Sequence, residues 1–219
     1  MAARGDLAVT GGEARAEGTV GPVAGLVLAG GRSSRMGQDK ALLALAGRPL
    51  IAHVLDRLMP QVGCVAVSFN GDAAALAHLG LPLLQDGAPD RPGPLAGVLA
   101  GLDWAAGIGA DWLATVPVDT PFVPRDLVAR LAAAAVPGGG PVLAASDSGL
   151  HPTAALWPVR LREDLRLALD QGQRRVAGWA LDQGAVTVQF SSGGTDPFVN
   201  LNTPEDLAAA EALLRGGRG

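Results

Sequence analysis

Lysine is almost missing from this chain. Of its 219 residues 17 are basic, yet Lys40 is the one lysine and the other 16 are arginine. Cysteine is equally scarce. Cys64 stands alone, which excludes an internal disulfide and a cysteine-based zinc cluster. It lies in the apolar stretch 62–69, so the expectation is a buried small hydrophobe rather than a nucleophile. No unbroken apolar run approaches the roughly 18 residues needed to cross a bilayer. The mean hydropathy of +0.27 comes instead from Ala, Val and Leu spread along the chain. Residues 1–22 are rich in Gly, Ala, Arg and Glu and lack the apolar core of a signal peptide. A formal net charge of −4, without an extended basic run, gives no reason to expect nucleic acid. These absences point to a cytoplasmic protein with neither a membrane nor a nucleic-acid partner.

What is present reads as a folded chain. Composition is 48% hydrophobic and 17% charged, in the globular range. Residues 1–22 are expected to be a disordered extension, and 23–217 a single domain. Ala24–Leu28 reads as a buried strand running into Gly30-Gly31. Pro49 suits the first turn of a helix through Leu58. Strands are expected over 62–69, 81–85, 111–116, 142–145, 153–157 and 186–190. Helices are expected over 73–79, 95–106, 125–135, 161–169, 175–181 and 203–214. The last of these starts with Thr203 as cap, Pro204 next, and Glu205 and Asp206 in the first turn. His53 and His78 fall in helical stretches with no assigned role, and the tryptophans, Trp104 and Trp112 among them, suit a core. The alternation of strand and helix predicts a three-layer α/β/α fold around a mostly parallel, Rossmann-like sheet. In such sheets ligands bind beyond the carboxyl ends of the strands. That selects the loops after Leu28, Phe69, Gln85 and Val116.

The segment Leu28-Ala29-Gly30-Gly31-Arg32-Ser33-Ser34-Arg35-Met36-Gly37-Gln38-Asp39-Lys40 carries the strongest signal. Adjacent glycines after a strand let the backbone approach a ligand and offer it N–H groups. Arg32, Arg35 and Lys40 add positive charge within one short loop, as a triphosphate requires. Lysine brings a compact ammonium on a thin stem, where arginine would bring a wide planar fork. The string is neither a P-loop, since Gln38-Asp39 separate the last glycine from Lys40, nor a G-x-G-x-x-G fingerprint. Asp119 directly follows an apolar strand, between Pro117 and Pro121.

The thirteen-residue string resembles the L-A-G-G, R-M-G, D-K signature of the molybdenum cofactor guanylyltransferase (MobA) family of nucleotidyltransferases. The likeness continues through Gly93-Pro94-Leu95-Ala96-Gly97, Pro117-Val118-Asp119-Thr120-Pro121, His151-Pro152-Thr153 and Arg174-Arg175-Val176. It ends with Phe198-Val199-Asn200-Leu201-Asn202-Thr203-Pro204, so that it spans roughly residues 25 to 214 in the family's order. The first signature is shared by many nucleotidyltransferases, whereas the combination with the later segments is far more specific. Two departures occur. Only Gln38 stands between R-M-G and D-K, and Val118 replaces a frequent cysteine.

The resemblance implies transfer of GMP from GTP to the phosphate of the molybdenum cofactor, with Mg²⁺ as cofactor. It implies a nucleotide-binding N-terminal part and a C-terminal part that takes the molybdopterin acceptor. Leu28, Ala29, Gly30, Gly31, Asn70 and Asp86 would contact the nucleotide. Lys40, assisted by Arg35, would bind phosphate oxygens, and Asp119 would hold the metal. His151, Arg174, Arg175, Asn200 and Asn202 would lie toward the acceptor. GTP and molybdopterin are the partners so implied, and transient contact with molybdenum-insertion proteins or molybdoenzyme chaperones is a further expectation. Other readings of the residues stay open here: His151 as a turn anchor, Asn202 as a helix cap, Arg174 and Arg175 as solvated charges. Among activities, the alternatives are transfer of CMP to the same acceptor, another sugar- or cofactor-phosphate nucleotidyltransferase, and a nucleotide-binding regulator without turnover. Gly30 favours guanine over cytosine, since the sibling CMP-transferring group tends to carry L-A-A-G there.

Overall fold

Strand β1 (Val23–Leu28) is an apolar hexapeptide, buried from Ala24 onward. The computed structural model describes residues 21–30, 39–85, 93–191 and 194–216. The extension expected over 1–22 falls, apart from residues 21 and 22, outside them. A small hairpin follows, β2 (Ala44–Leu45) and β3 (Arg48–Pro49). Its two turn residues, Ala46 and Gly47, have φ of 50° and 78°, the left-handed conformation that a tight two-residue hairpin loop demands. Pro49 pairs with Ala44 in this hairpin, so helix α1 (Leu50–Leu58) begins one residue later than the proline suggests.

The remaining elements are β4 (Cys64–Ser68), β5 (Leu83–Leu84), α2 (Pro94–Gly107), β6 (Trp112–Pro117), α3 (Leu127–Ala134), β7 (Val142–Ser146), β8 (Gly149–Pro158), α4 (Arg162–Asp170), α5 (Val176–Asp182), β9 (Val186–Gln189) and α6 (Pro204–Gly216). The helix expected over 73–79 is instead two consecutive 3₁₀ turns, Ala73–Ala75 and Ala77–Leu79.

Seven strands form one sheet in the order β5-β4-β1-β6-β8-β7-β9. All pairs are parallel except those of β8, which runs antiparallel to β6 and to β7. The physical reason is the connection: a turn of Asp147 and Ser148 is long enough only for an antiparallel return. Strand order reverses about β1, with β4 on one side and β6 on the other. The carboxyl ends of these strands therefore open a crevice.

Alternation along the central strands divides the interior into two cores. Ala24, Leu26, Leu28 and Leu113 pack with α2, α4 and α5, while Val27, Ala114 and Val116 pack with α1, α3 and α6. Trp157 and Trp179 belong to the first core and stack with centroids 5.8 Å apart. Trp104 and Trp112, expected in the core, are half-buried at its edge. Cys64 departs from expectation. It is exposed, because burial along β4 begins only at Val65 and Cys64 sits at the strand's open amino end. Among the described residues no helix is long and apolar enough to cross a membrane.

Helix α2 packs against the sheet through its glycines. A Cβ on Gly101 would stand 2.5 Å from Leu26 Cδ2 and 2.8 Å from Leu113 Cδ2, both side chains being fully buried. Alanine gains about 1 kcal/mol of helix propensity over glycine, but overpacking a filled core costs about 1–3 kcal/mol. Gly101→Ala is thus expected to lower stability by about 1 kcal/mol net. Gly107→Ala, where the added methyl meets nothing within 4 Å, should raise it. Denaturant midpoints of the two variants check the pair.

Candidate active site

The site grows from the ends of three strands. Leu28 pairs with Ser68 on one side and Pro117 on the other. The ladder continues one step further, with Ala29 N–H donating to Ser68 O at 2.9 Å and Val118 N–H to Leu28 O at 3.0 Å. Gly30, Asn70 and Asp119 consequently emerge at the same rim. A cleft of about 330 Å³ opens there. Leu28, Ala29 and Gly30 line it from β1, Pro117, Val118 and Asp119 from β6, and Pro94 from the start of α2. Lys40, Thr153 and Asn200 close the remaining sides. A larger surface hollow of about 540 Å³, between β5, α2 and α4, contains the Arg166–Asp103 ion pair (2.7 Å) and none of these groups. The smaller cleft, where the glycine-rich strand end, the ammonium and the carboxylate converge, is the one with chemistry to offer.

Lys40 opens a single 3₁₀ turn whose next residue, Ala41, is fully buried. Leu43 is also buried, and its carbonyl accepts Leu50 N–H at 2.8 Å. The apolar side of this turn is thereby anchored while the lysine stem reaches the cleft. Its Nζ lies 2.9 Å from Asp119 Oδ2, and both side chains retain about a fifth of their exposure (21% and 19%). Nζ also donates to Asn202 Oδ1.

Asp119 is held by its neighbours rather than by the flanking prolines alone. Thr120, 2% exposed, donates its hydroxyl to Pro117 O at 2.9 Å and closes the turn around Asp119. Leu201 N–H donates to Asp119 O at 2.9 Å. That bond fixes the Asn200–Asn202 segment against the turn. The segment is rigid from the other side as well, because Asp206 Oδ2 accepts the N–H of Asn202 (2.8 Å) and of Thr203 (2.9 Å). Thr203 Oγ1 in return accepts Asp206 N–H at 3.2 Å. This reciprocal cap is what the Thr203-Pro204 start signals. These hydrogen bonds, led by the one from Asn202 N–H, hold the Asp206 carboxyl below its usual range.

On the β4 side a Cβ on Gly30 would stand 3.4 Å from Asn70 Nδ2. Glycine therefore keeps the floor open beside that amide. Nearby, a Cβ on Gly97 would come within 2.7 Å of Ser68 Oγ, so α2 seats its first turn against the strand end only because this position lacks a side chain. Gly93 adopts φ of 121°, a value that favours glycine, and aims Pro94 and the helix start at the cleft. Helix amino ends carry unsatisfied N–H groups and a positive partial charge, which suit phosphate.

On the opposite side, β8 carries a three-residue irregularity. Register jumps from Leu143↔Ala155 to Ala144↔His151, so Pro152, Thr153 and Ala154 bulge from the ladder. Thr115, fully buried, fastens this bulge by donating to Thr153 O at 2.8 Å while accepting Trp157 Nε1–H at 2.9 Å. His151 sits just before the bulge, its ring stacked on Phe198 with centroids 4.4 Å apart. Burial pushes the His151 imidazolium pKa down, and the opposing pull of the Asp196 charge is smaller. Burial would raise the Asp196 carboxyl, but hydrogen bonds from Ser148, Phe198 N–H and Ser146 hold it below the usual carboxylate range.

Of the expected site residues, the structure thus brings together Leu28, Ala29, Gly30, Lys40, Asn70, Asp119, Asn200 and Asn202, with His151 next to them. Gly31, Arg35 and Asp86 lie outside the described residues. Arg174 and Arg175 occupy the α4–α5 turn and do not line the cleft. The Arg174 guanidinium donates to Leu169 O (3.0 Å) and Gln173 O (2.8 Å), closing the end of α4. His53 contacts Leu45 O at 2.9 Å and is tied into the hairpin. Sequence reasoning gave no site role to Pro94, Thr115, Thr120 or Thr153, although all but Thr115 lie in the family-like segments.

A family model described as a MobA-like NTP transferase domain matches residues 25–185. A molybdenum cofactor guanylyltransferase from Cereibacter sphaeroides is 54% identical over 193 residues, covering 87% of this chain and 96% of that protein. The chain belongs to the molybdenum cofactor guanylyltransferase family of nucleotidyltransferases. A second member, from Rhodobacter capsulatus, is 54% identical over 200 residues, 88% of this chain and 97% of its own length. Among solved structures, the molybdopterin-guanine dinucleotide biosynthesis protein A of Archaeoglobus fulgidus superposes with a TM-score of 0.69 at 23% identity, covering 88% of this chain and 99% of that one. A nucleotidyl transferase from Methanothermobacter thermautotroptrophicus gives 0.70 at 21% identity, covering 89% and 99%. These structural likenesses carry the fold, a Rossmann-like nucleotidyltransferase sheet. The family assignment rests on the sequence relatives.

Proposed function

We propose that this guanylyltransferase-family chain joins GMP, taken from Mg²⁺–GTP, to the phosphate of the molybdenum cofactor, releasing pyrophosphate. The observation that carries the reading is the convergence of Lys40 and Asp119, 79 positions apart in sequence, at the carboxyl rim of β1 and β6. The names of relatives about half identical to the chain supply the nucleotide and the acceptor.

Each group has a chemical task in this reading. The strand-end backbone of Leu28 to Gly30 and the Asn70 amide face the base and ribose. Lys40 holds phosphate oxygens, the role that a thin-stemmed ammonium fills best in a narrow cleft. The donor set suits Mg²⁺: Asp119 offers a carboxylate that already faces a cation, and this metal commonly takes one or two carboxylates with substrate phosphates and water. When bound it supplies charge neutralisation and a template for the phosphates. No general base is needed. A phosphate monoester has a second pKa near 6 and is largely dianionic at pH 7. One of its oxygens attacks the α-phosphorus of GTP. The bond to the β-phosphate breaks, and its electron pair leaves with pyrophosphate. The chain's own part is alignment and stabilisation of charge. Thr153, Asn200 and His151, on the β8 side of the cleft, face the acceptor.

A pyrophosphate-release assay with GTP, CTP and UTP, each with and without molybdopterin, tests this directly. The expected result is release with GTP that depends on molybdopterin. Turnover with CTP alone would overturn the guanine assignment, and acceptor-independent release would overturn the transfer itself.

A further inference from the structure

Next to the cleft, His151 is joined in a hydrogen-bonded chain to Ser146 and Asp196, two residues with no part so far in the transfer reaction. Ser146 is 6% exposed. Its Oγ lies 2.7 Å from Asp196 Oδ2 and 2.7 Å from His151 Nε2. A hydroxyl has one hydrogen, so one of these two contacts must draw its hydrogen from the partner. Asp196 has none to give. Its Oδ1 accepts Phe198 N–H at 2.8 Å, and its hydrogen-bond donors keep it ionised. Were the Ser146 hydrogen turned toward His151, a carboxylate oxygen and a hydroxyl oxygen would face each other at 2.7 Å with no proton between them. The hydroxyl therefore donates to Asp196, and His151 donates from Nε2 to Ser146.

The neutral imidazole carries one hydrogen, and spending it at Nε2 leaves Nδ1 as an acceptor. Among the described residues Nδ1 has no partner. The ring plane is fixed by Phe198, which is itself seated edge-on against Phe190 at 5.5 Å. His151 directly precedes the bulge that carries Thr153 into the cleft, and Phe198 lies two residues before Asn200, another cleft residue. We propose that Ser146 and Asp196 are positioning residues that lock His151 as the Nε2–H tautomer, so that its Nδ1 accepts an N–H from the nitrogen-rich ring of the acceptor. This rests on the acceptor being a pterin, whose amide-like and amino N–H groups match such an acceptor nitrogen.

The inference has a spectroscopic readout separate from turnover. The chain has three histidines, so ¹⁵N-histidine labelling of the full-length protein, with His151→Gln to assign the resonance, reports the tautomer directly. The expected pattern is Nε2–H in the wild type at neutral pH. In Asp196→Asn the new amide donates to Ser146, the hydroxyl turns to His151, and the pattern reverses to Nδ1–H. Kinetically, Ser146→Ala and Asp196→Asn should each raise the KM for molybdopterin about tenfold, the worth of one hydrogen bond, with the KM for GTP unchanged. Ser146→Thr, which keeps the hydroxyl, should rescue it. A wild-type Nδ1–H or doubly protonated ring overturns the lock even if both variants fold poorly. An unchanged acceptor KM in both variants overturns its role in recognition. Absence of GMP transfer by the wild type would instead defeat the transfer reading and leave the tautomer result standing by itself.

Discussion

Replacing Lys40 with alanine is expected to lower kcat/KM for GTP by about 10²–10³, the scale seen when one preorganised donor to a developing anion is removed. Among the described residues nothing else in the cleft can substitute, because Lys40 is the chain's one lysine and the described arginines do not line the pocket. The fold should survive. The anchoring of this segment comes from Ala41 and Leu43, which the mutation leaves in place. The Lys40–Asp119 pair is partly solvated at 21% and 19% exposure, so its loss should shift stability by about 1 kcal/mol at most. Lys40→Arg separates charge from shape. If a positive charge anywhere near the phosphates suffices, it restores turnover. A fork too wide for the cleft leaves it impaired, which is the expected outcome. Steady-state kinetics with thermal melts of all three proteins decide the matter. Unchanged kinetics in Lys40→Ala would mean that the ammonium serves only its two protein partners.

The sequence was informative where a signal is local. The apolar run 24–28 followed by glycines located β1 and its loop, and the alternation of strand and helix gave the layered architecture. Thr203 to Asp206 spelled out the start of α6 because a helix cap is written in four consecutive residues. Information was lost where structure depends on distant partners. Cys64 belongs to an apolar stretch, yet its exposure depends on where β4 enters the sheet. The antiparallel direction of β8 follows from a short turn, but the bulge at 152–154 is set by buried Thr115, 38 positions away from Thr153. The same holds for the site. Lys40 and Asp119 stood out individually, through rarity and position after a strand. The bond from Lys40 to Asn202 spans 162 positions, and no pattern of spacing announces it. Asn202 thus touches the phosphate-side ammonium, although the family resemblance put it toward the acceptor.

Asp119→Asn should be nearly as damaging as the loss of Lys40, but with a different signature. The amide keeps the size of the side chain and an oxygen for the Lys40 hydrogen bond, and the turn closed by Thr120 is untouched. What disappears is the negative charge. The expected result is a fall in kcat of about 10² or more, together with a higher Mg²⁺ concentration for half-maximal activity. Lys40→Ala should leave the Mg²⁺ requirement equal to or lower than that of the wild type, since it removes the cation now resting 2.9 Å from the carboxylate. The double variant joins the two arguments. Groups in direct contact that act on the same phosphates are not additive, so its loss should approach that of the worse single variant rather than the product of both. Full multiplicative loss would show that Lys40 and Asp119 work on separate parts of the substrate. Their 2.9 Å contact would then be incidental to the chemistry, and the proposed site would have to be redrawn around whichever of the two still governs the α-phosphate.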